Sequence, residues 1–156
     1  MSRAQIEAML NRALHEMLSA PVILDEKGYA LTRVNGVSLN MEYDERRDKL
    51  YLYASLGSVP EGTSSAVYET MLEADFLGAD TAGGHIGLHG ATRILAYSLA
   101  LDVARLDERE MANAFNLFVT NVVEWTDKVE GLLERPALSP GDTLFSGPMM
   151  GNVLWG

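Results

Sequence analysis

Apolar residues recur along the chain with two spacings, one typical of helices and one typical of strands. Residues 2–18 have helical spacing, followed by Pro21, which predicts an amphipathic helix whose apolar positions are Ile6, Met9, Leu10, Ala13, Leu14 and Met17. Three strands follow, over residues 28–34, 37–43 and 50–56. In the second and third, apolar and polar residues alternate, as in half-buried strands. The short polar link 44–48 predicts an antiparallel hairpin between them.

Pro60 and Gly62 end the first set of strands and precede a second helix, predicted over residues 65–77. A glycine-rich break, residues 78–84, leads to a second hairpin with strands over 85–88 and 93–101. Asp107 and Glu110 have capping-box spacing and open a long helix. Its apolar positions alternate in steps of four and three: Met111, Phe115, Phe118, Val122, Trp125, Val129 and Leu132. The order α-β-β-β-α-β-β-α predicts an α+β domain, residues 1–135, in which helices pack on a twisted antiparallel sheet.

Residues 136–156 differ in composition from the rest of the chain. They are rich in Gly and Pro but keep apolar clusters at 144–145, 149–150 and 153–155. Two interpretations remain open: a flexible terminus, or a linear segment that docks in an apolar groove of its own dimer.

Composition and charge exclude several classes of function. The apolar fraction of 47% and the charged fraction of 22% are those of a globular protein. The net charge of −10 disfavours binding to nucleic acid or to anionic lipid. The chain has no cysteine, which rules out disulfides and thiolate chemistry. The charged N-terminus and the lack of a long apolar run predict a cytoplasmic protein without membrane insertion.

No residues form a convincing catalytic or metal-binding set, and no cofactor is expected. His85 and His89 lie four residues apart and could begin a metal site, but a third ligand is not evident. The glycine-rich break follows a helix and precedes a strand, so no helix N-terminus faces it as a phosphate loop requires.

The second helix has more apolar surface than one core needs. Its apolar residues span an arc of roughly 200°, about twice the usual stripe. This predicts a second buried face, most economically against another copy of the chain, with candidate interface residues Tyr68, Met71, Leu72, Asp75 and Phe76. The alternative is a helix wrapped by the tail within one monomer.

Methionines and tyrosines near the first helix and hairpin suggest a surface for another protein. Methionine side chains adapt to varied partners, although at helical spacing they are more often core residues. Tyr51 and Tyr53 point to the opposite face of their strand from Leu50 and Leu52, and would favour protein contacts if that face is open. The candidate partner-binding residues are Ile6, Met9, Leu10, Met17, Leu39, Met41, Tyr51 and Tyr53.

The sequence resembles the class I type III secretion chaperones, the Tir-chaperone-like family, over about residues 3–134. The resemblance lies in Met71-Leu72-Glu73-Ala74-Asp75-Phe76-Leu77-Gly78, then Gly83-Gly84-His85-Ile86-Gly87-Leu88, Ala96-Tyr97-Ser98-Leu99-Ala100-Leu101 and Leu106-Asp107, ahead of the long helix. Asp75 stands where the family commonly has Asn.

The resemblance implies a cytosolic homodimer that joins through the second helix and a neighbouring strand. It also implies that the N-terminal segment of a secreted effector wraps around the dimer in extended form, with apolar side chains in grooves near the first helix and sheet. On this hypothesis the protein is not an enzyme. A regulatory protein on the same fold, sequestering a regulator of secretion-gene expression, is the second hypothesis, and a small hydrolase or metal enzyme using His85 and His89 is the third.

Overall fold

Three α-helices and five strands make up the fold in the computed structural model, which describes residues 1–133. Their order along the chain is α1 (Arg3–Ala13), β1 (Tyr29–Val34), β2 (Val37–Asp44), β3 (Lys49–Ser58), α2 (Ser65–Asp75), β4 (His85–His89), β5 (Ile94–Asp102) and α3 (Glu108–Leu133). This confirms the predicted α+β order. The predicted tail, residues 136–156, lies outside the described residues, so the domain boundary before it stays a prediction.

The strands form one antiparallel sheet in the order β1-β2-β3-β5-β4. A two-residue turn at Asn35 and Gly36 pairs Val34 with Val37, and the register continues to Tyr29 opposite Glu42. The β3–β5 ladder is the longest and is interrupted by a bulge between Ser55 and Gly57. The two hairpins predicted from the sequence, β2–β3 and β4–β5, are therefore joined by the pairing of β3 with β5. This leaves β1 and β4 as the edge strands.

The core lies between one face of the sheet and the helices. Alternate residues of the strands point into it, among them Leu39, Leu52 and Tyr97, and the long helix α3 covers them with the predicted apolar stripe. The ring centroids of Tyr97 and Phe118 are 5.3 Å apart. Asp107 and Glu110 cap α3 reciprocally, with N–H to carboxylate distances of 2.8 and 2.9 Å, as the capping-box spacing predicts.

The predicted ends of two helices need correction. The α1 helix ends at Ala13 rather than at position 18, because the next residues turn to meet β1: Leu18 bridges to Val34, and the Ser19 N–H donates to the Arg33 carbonyl. The α2 helix ends at Asp75, because Leu77 adopts a left-handed conformation with φ of 55°. The strand edges in the second hairpin differ from prediction by one residue, since His89 still pairs with Ile94.

Candidate partner-binding surfaces

Five of the eight predicted partner-binding side chains are core residues in this structure. Ile6, Met9 and Leu10 on α1, and Leu39 and Met41 on β2, are at most 8% exposed and belong to the central apolar cluster. The expectation that they form an exposed groove needs correction. The α1 helix has a single apolar stripe, and its large side chains are all buried in the core, so none of them is left to line an exposed groove.

The other three predicted residues lie elsewhere. Met17 is half-buried against the core after the end of α1. Tyr51 is half-buried and Tyr53 is 3% exposed, and both point to the sheet face opposite the core, as the alternation predicts. Their role in binding stays a prediction.

That second sheet face, which we call the open face because no helix of residues 1–133 packs on its exposed Leu31, is formed by Tyr29, Leu31, Asn40, Glu42, Tyr51 and Tyr53. Asn40, Glu42 and Tyr53 are buried within it, and Tyr29 and Tyr51 are half-buried. The strand register places these residues in two rows: Leu31, Asn40 and Tyr53 in one, and Tyr29, Glu42 and Tyr51 in the other. The Tyr53 hydroxyl donates to Glu42 Oε1 at 2.6 Å, and the Tyr29 hydroxyl donates to Asn40 Oδ1 at 2.9 Å. Leu31 is 54% exposed. The face therefore offers the half-buried rings of Tyr29 and Tyr51 beside one exposed leucine.

The hydroxyls of Tyr29 and Tyr51 on the open face stay protonated at neutral pH, because the pKa of each is raised. Burial, followed by the charges of Glu42 and Asp25, raises the pKa of Tyr29. Burial also raises the pKa of Tyr51, against the opposing effect of Arg47. These rings therefore present apolar area with uncharged polar tips, which suits contact with another protein.

The outer edge of β1 is covered at both ends by the segment between α1 and β1. Ser19 N–H donates to the Arg33 carbonyl, and Asp25 N–H donates to the Tyr29 carbonyl. Between these points the segment is hydrogen-bonded to α1. Asn11 makes two hydrogen bonds to the Val22 backbone, of 2.7 and 2.9 Å, and Glu7 Oε2 accepts from the Leu24 N–H at 2.8 Å. Ile23, between the bonded residues Val22 and Leu24, is 74% exposed.

The richest apolar surface lies on α2 and β4, and we call it the α2 patch: Leu72, Phe76, Leu77 and Leu88. Leu72 and Phe76 are each 70% exposed and Leu77 is 89% exposed, while Leu88 on β4 is 39% exposed. These are four of the eight large apolar side chains exposed within residues 1–133. The prediction that α2 carries apolar surface beyond its own core is therefore confirmed for Leu72 and Phe76.

Three other predicted interface residues are engaged within the chain. Met71 was predicted to lie in an interface, but it is 4% exposed and packs in the core of its own chain, so this prediction is corrected. Tyr68 is half-buried, and its hydroxyl accepts from Arg93 Nη2 at 2.7 Å. Asp75 Oδ1 accepts from the Ile86 N–H at 3.1 Å, and its Oδ2 lies 3.4 Å from His85 Nδ1. The contacts of Tyr68 and Asp75 dock α2 along the edge strand β4. They run from Arg93, in the turn between β4 and β5, to the first residues of β4.

Sequence reasoning missed Ile23, Leu31, Leu77 and Leu88 as surface residues. The glycine at position 78 could have indicated that the helix ends before Leu77, because glycine is common just past a helix C-terminus. Nothing in the local pattern distinguishes Leu31 from the core residues of neighbouring strands.

His85 and His89 have different partners in the structure. His85 faces Asp75, whereas His89 Nδ1 lies 2.7 Å from the Thr92 hydroxyl. Within residues 1–133, no group of three or more His, Asp or Glu side chains could hold a metal ion. In the same part of the chain, no helix has the length and apolar character needed to cross a bilayer.

The sequence of residues 5–126 matches the Tir chaperone protein (CesT) family. The chain belongs to this family of secretion chaperones. The match confirms the resemblance inferred from the residues around α2 and the second hairpin. No curated protein sequence is significantly similar to the chain.

Solved structures share the fold of this Tir-chaperone family member at low sequence identity. A chain of the HopA1–SchA chaperone–effector complex has a TM-score of 0.61 and 16% identity, over 84% of this chain and 97% of that one. A chain of the ExsC–ExsE complex has a TM-score of 0.63 and 16% identity, over 84% and 95%. A chain of the ExoU–SpcU complex from the type III secretion system of Pseudomonas aeruginosa has a TM-score of 0.60 and 18% identity, over 83% and 98%. The α+β fold is thus that of these chains.

Proposed function

We propose that this protein is a cytosolic type III secretion chaperone that binds the N-terminal segment of a secreted effector in extended form and keeps it competent for export. The observation that carries the proposal is the family match across residues 5–126, which includes every strand and most of α3. The fold neighbours in complexes with partner proteins, one of them described as a chaperone–effector complex, support it.

The working unit is a homodimer joined through the α2 patch. Three side chains there are at least 70% exposed, and burying such area against a second copy is the economical way to remove it from water. A monomer that left this patch in water would carry a strong tendency to associate.

The effector segment lies on the open face, with its apolar side chains against Leu31 and the rings of Tyr29 and Tyr51. This face combines an exposed leucine with uncharged hydroxyl groups, and an extended chain can use both. The net charge of −10 keeps the loaded complex soluble while the effector waits.

The protein works without catalysis and acts in the cytosol. Holding an extended segment requires binding energy alone, and the family to which the chain belongs is one of chaperones. A protein that holds secretion substrates before export has to meet them where they are synthesised.

The test is affinity capture of the tagged full-length chain from secretion-competent cells, followed by light scattering and limited proteolysis. We expect two copies of this chain with one exported protein, whose N-terminal stretch resists protease only in the complex. Loss of the chaperone gene should reduce export of that protein. Capture of a retained transcriptional regulator instead would support the regulatory alternative.

Two variants separate effector binding from folding. Leu31→Glu places a charge on the open face and should abolish capture of the exported protein while leaving the dimer intact. Leu117→Glu changes a leucine of similar exposure, 48%, on α3 and serves as the matched control. Equal capture by both variants would remove the open face from the proposal.

A further inference from the structure

Residues 136–156 are the part of the sequence that the proposed function leaves without a role. The family match ends at residue 126, before this tail begins. The tail keeps three apolar pairs at five-residue intervals, Leu144-Phe145, Met149-Met150 and Leu154-Trp155. Prolines at 136, 140 and 148 oppose a helix, and Asp142 is its one charged side chain, whereas 22% of the whole chain is charged. The composition therefore predicts an extended, apolar segment.

Ile23 and Leu31 are large apolar side chains that stay exposed outside the α2 patch, at 74% and 54%. The segment between α1 and β1 is hydrogen-bonded to β1 near both of its ends, at residues 19 and 25. Its middle therefore lies alongside the middle of β1, which brings Ile23 next to Leu31.

Both side chains lie on the same side of the sheet. Val22 and Leu24 are buried in the core, so Ile23 between them is turned away from it. Leu31 belongs to the open face, which is also the side away from the core. We call Ile23, Leu31 and the half-buried ring of Tyr29 the β1-edge surface. Hydrogen bonds from α1 fix the segment that carries Ile23, so the surface is preformed.

We propose that residues 144–155 of this chain bind the β1-edge surface and occupy part of the effector site until an effector segment displaces them. This inference rests on the proposed function, because that function assigns the effector to Leu31 and Tyr29. It adds a competitor that the chain itself supplies and that regulates access to the site.

The length of the tail allows this contact. Ten residues separate the end of α3 at Leu133 from Leu144, so the first apolar pair can lie up to about 35–40 Å from the helix and the last up to about 70–75 Å. A compact fold of the size of residues 1–133 has a radius of gyration of about 14 Å. The tail can therefore reach the opposite side of the molecule.

Charge and tethering favour the tail as the occupant. With one ionised side chain, it escapes the repulsion that a chain of net charge −10 exerts on acidic segments. A tethered segment acts at an effective concentration of about 1 mM, so an intrinsic dissociation constant of about 0.1 mM keeps the surface covered about 90% of the time. Tightly binding effector segments displace such a competitor, whereas weakly binding apolar segments do not.

Photo-crosslinking locates the tail. The photoreactive residue p-benzoylphenylalanine replaces Phe145 in the full-length chain, and mass spectrometry maps the adducts. We expect adducts in residues 22–33. They should disappear in Leu31→Glu and persist in Leu117→Glu, which changes a leucine of similar exposure on α3.

Fluorescence anisotropy measures the competition, with a labelled synthetic peptide of residues 140–156 as the probe. In the full-length double variant Phe145→Ser, Trp155→Ser, the tail loses its two aromatic side chains. We expect the probe to bind this variant about tenfold more tightly than it binds the parent chain, because the surface is no longer covered. The control double variant Ser139→Ala, Ser146→Ala changes polar residues of the tail and should bind the probe as the parent does.

Three results would overturn the proposal: adducts confined to other surfaces such as the α2 patch, no adducts within the protein, or equal probe affinity of the parent and the Phe145→Ser, Trp155→Ser variant. None of these results affects the capture of an exported protein, which tests the chaperone role independently. Conversely, adducts in residues 22–33 of a protein that captures no exported protein would refute the proposed effector and retain the tail on the β1-edge surface.

Discussion

The helices α1 and α2 have the same length, 11 residues, and both carry methionine and leucine on an apolar side, yet they relate to the core differently. In α1, the buried residues Ile6, Met9 and Leu10 include every large apolar side chain of the helix. In α2, Val67, Met71 and Ala74 are buried, while Leu72 remains 70% exposed. The width of the apolar arc, rather than the presence of methionines, indicates which helix has surface to spare.

The means of attachment differ as well. The α1 helix is held by apolar burial, together with polar side chains that bind the following segment through Asn11 and Glu7. The end of α2 is held by a polar contact in which Asp75 accepts from the Ile86 N–H. The loop that follows is held by Trp125 Nε1, which donates to the Asp80 carbonyl at 3.2 Å. Both helices contribute to the core, but only α2 also presents large apolar side chains to the surface.

The largest expected effect comes from placing a charge on the surface of α2. Leu72→Glu should dissociate the proposed dimer, because burying an unpaired carboxylate costs several kcal/mol. Light scattering should report a monomer for Leu72→Glu, and circular dichroism should show that its secondary structure is normal. Leu117→Glu should remain dimeric. A dimer of unchanged stability in Leu72→Glu would show that the interface lies elsewhere.

The second prediction compares the same substitution in the two helices. Leu10→Ala should lower the free energy of unfolding by about 2–5 kcal/mol, since Leu10 is fully buried. Leu72→Ala should change it by no more than about 0.5 kcal/mol in solutions dilute enough for the chain to be monomeric. Urea denaturation monitored by circular dichroism measures both. Similar losses in the two variants would contradict the distinction drawn between the helices.

A third prediction addresses the attachment of α1 to the segment before β1. Asn11→Ala removes both hydrogen bonds to the Val22 backbone, where the partner groups are partly buried, and should cost about 1–3 kcal/mol. Amide hydrogen exchange should increase at Val22 and Leu24 before it increases in the sheet. Unchanged exchange there would mean that Glu7 and the apolar contacts suffice to hold the segment.

The smallest effect appears only at high pH, at the loop that follows α2. The Tyr97 hydroxyl donates to the Thr81 carbonyl at 2.7 Å, and burial raises the pKa of Tyr97 to about 12. Because the pKa is higher in the folded chain than in the unfolded one, this contribution to stability is complete below pH 10 and is lost as pH rises towards 12. Tyr97→Phe should therefore show a shallower fall in unfolding free energy over that range, and an identical slope would exclude Tyr97 as its source.

Local signals predicted the elements well where one signal dominated. The stripe from Met111 to Val129 marked α3, and Asp107 with Glu110 marked its start. The end of α1 could not be predicted, because Leu14 and Met17 continue the helical spacing. Bonds between residues 18–19 and β1, distant in sequence, override it.

The candidate surfaces show the same limit. The excess apolar arc of α2 predicted exposed residues Leu72 and Phe76, since a helix buries only one stripe in its own core. Met9 and Met41 were expected near a surface, but their exposure depends on what packs above them. The identity of one residue in the sequence does not reveal whether other elements of the fold cover its side chain or leave it open to water.

The sequence by itself determined the α+β order, the hairpins and the acidic character, because each depends on local spacing or on the sum of side-chain charges. Its motifs around α2 and the second hairpin carried the resemblance to the family. Only the tertiary structure decided which apolar faces remain exposed. Tertiary packing buries Leu10 and Met41 in the core while leaving the end of α2 and Leu88 of β4 exposed. The left-handed conformation of Leu77 likewise results from the contacts that fix the end of α2, since leucine has no preference for that region of its own.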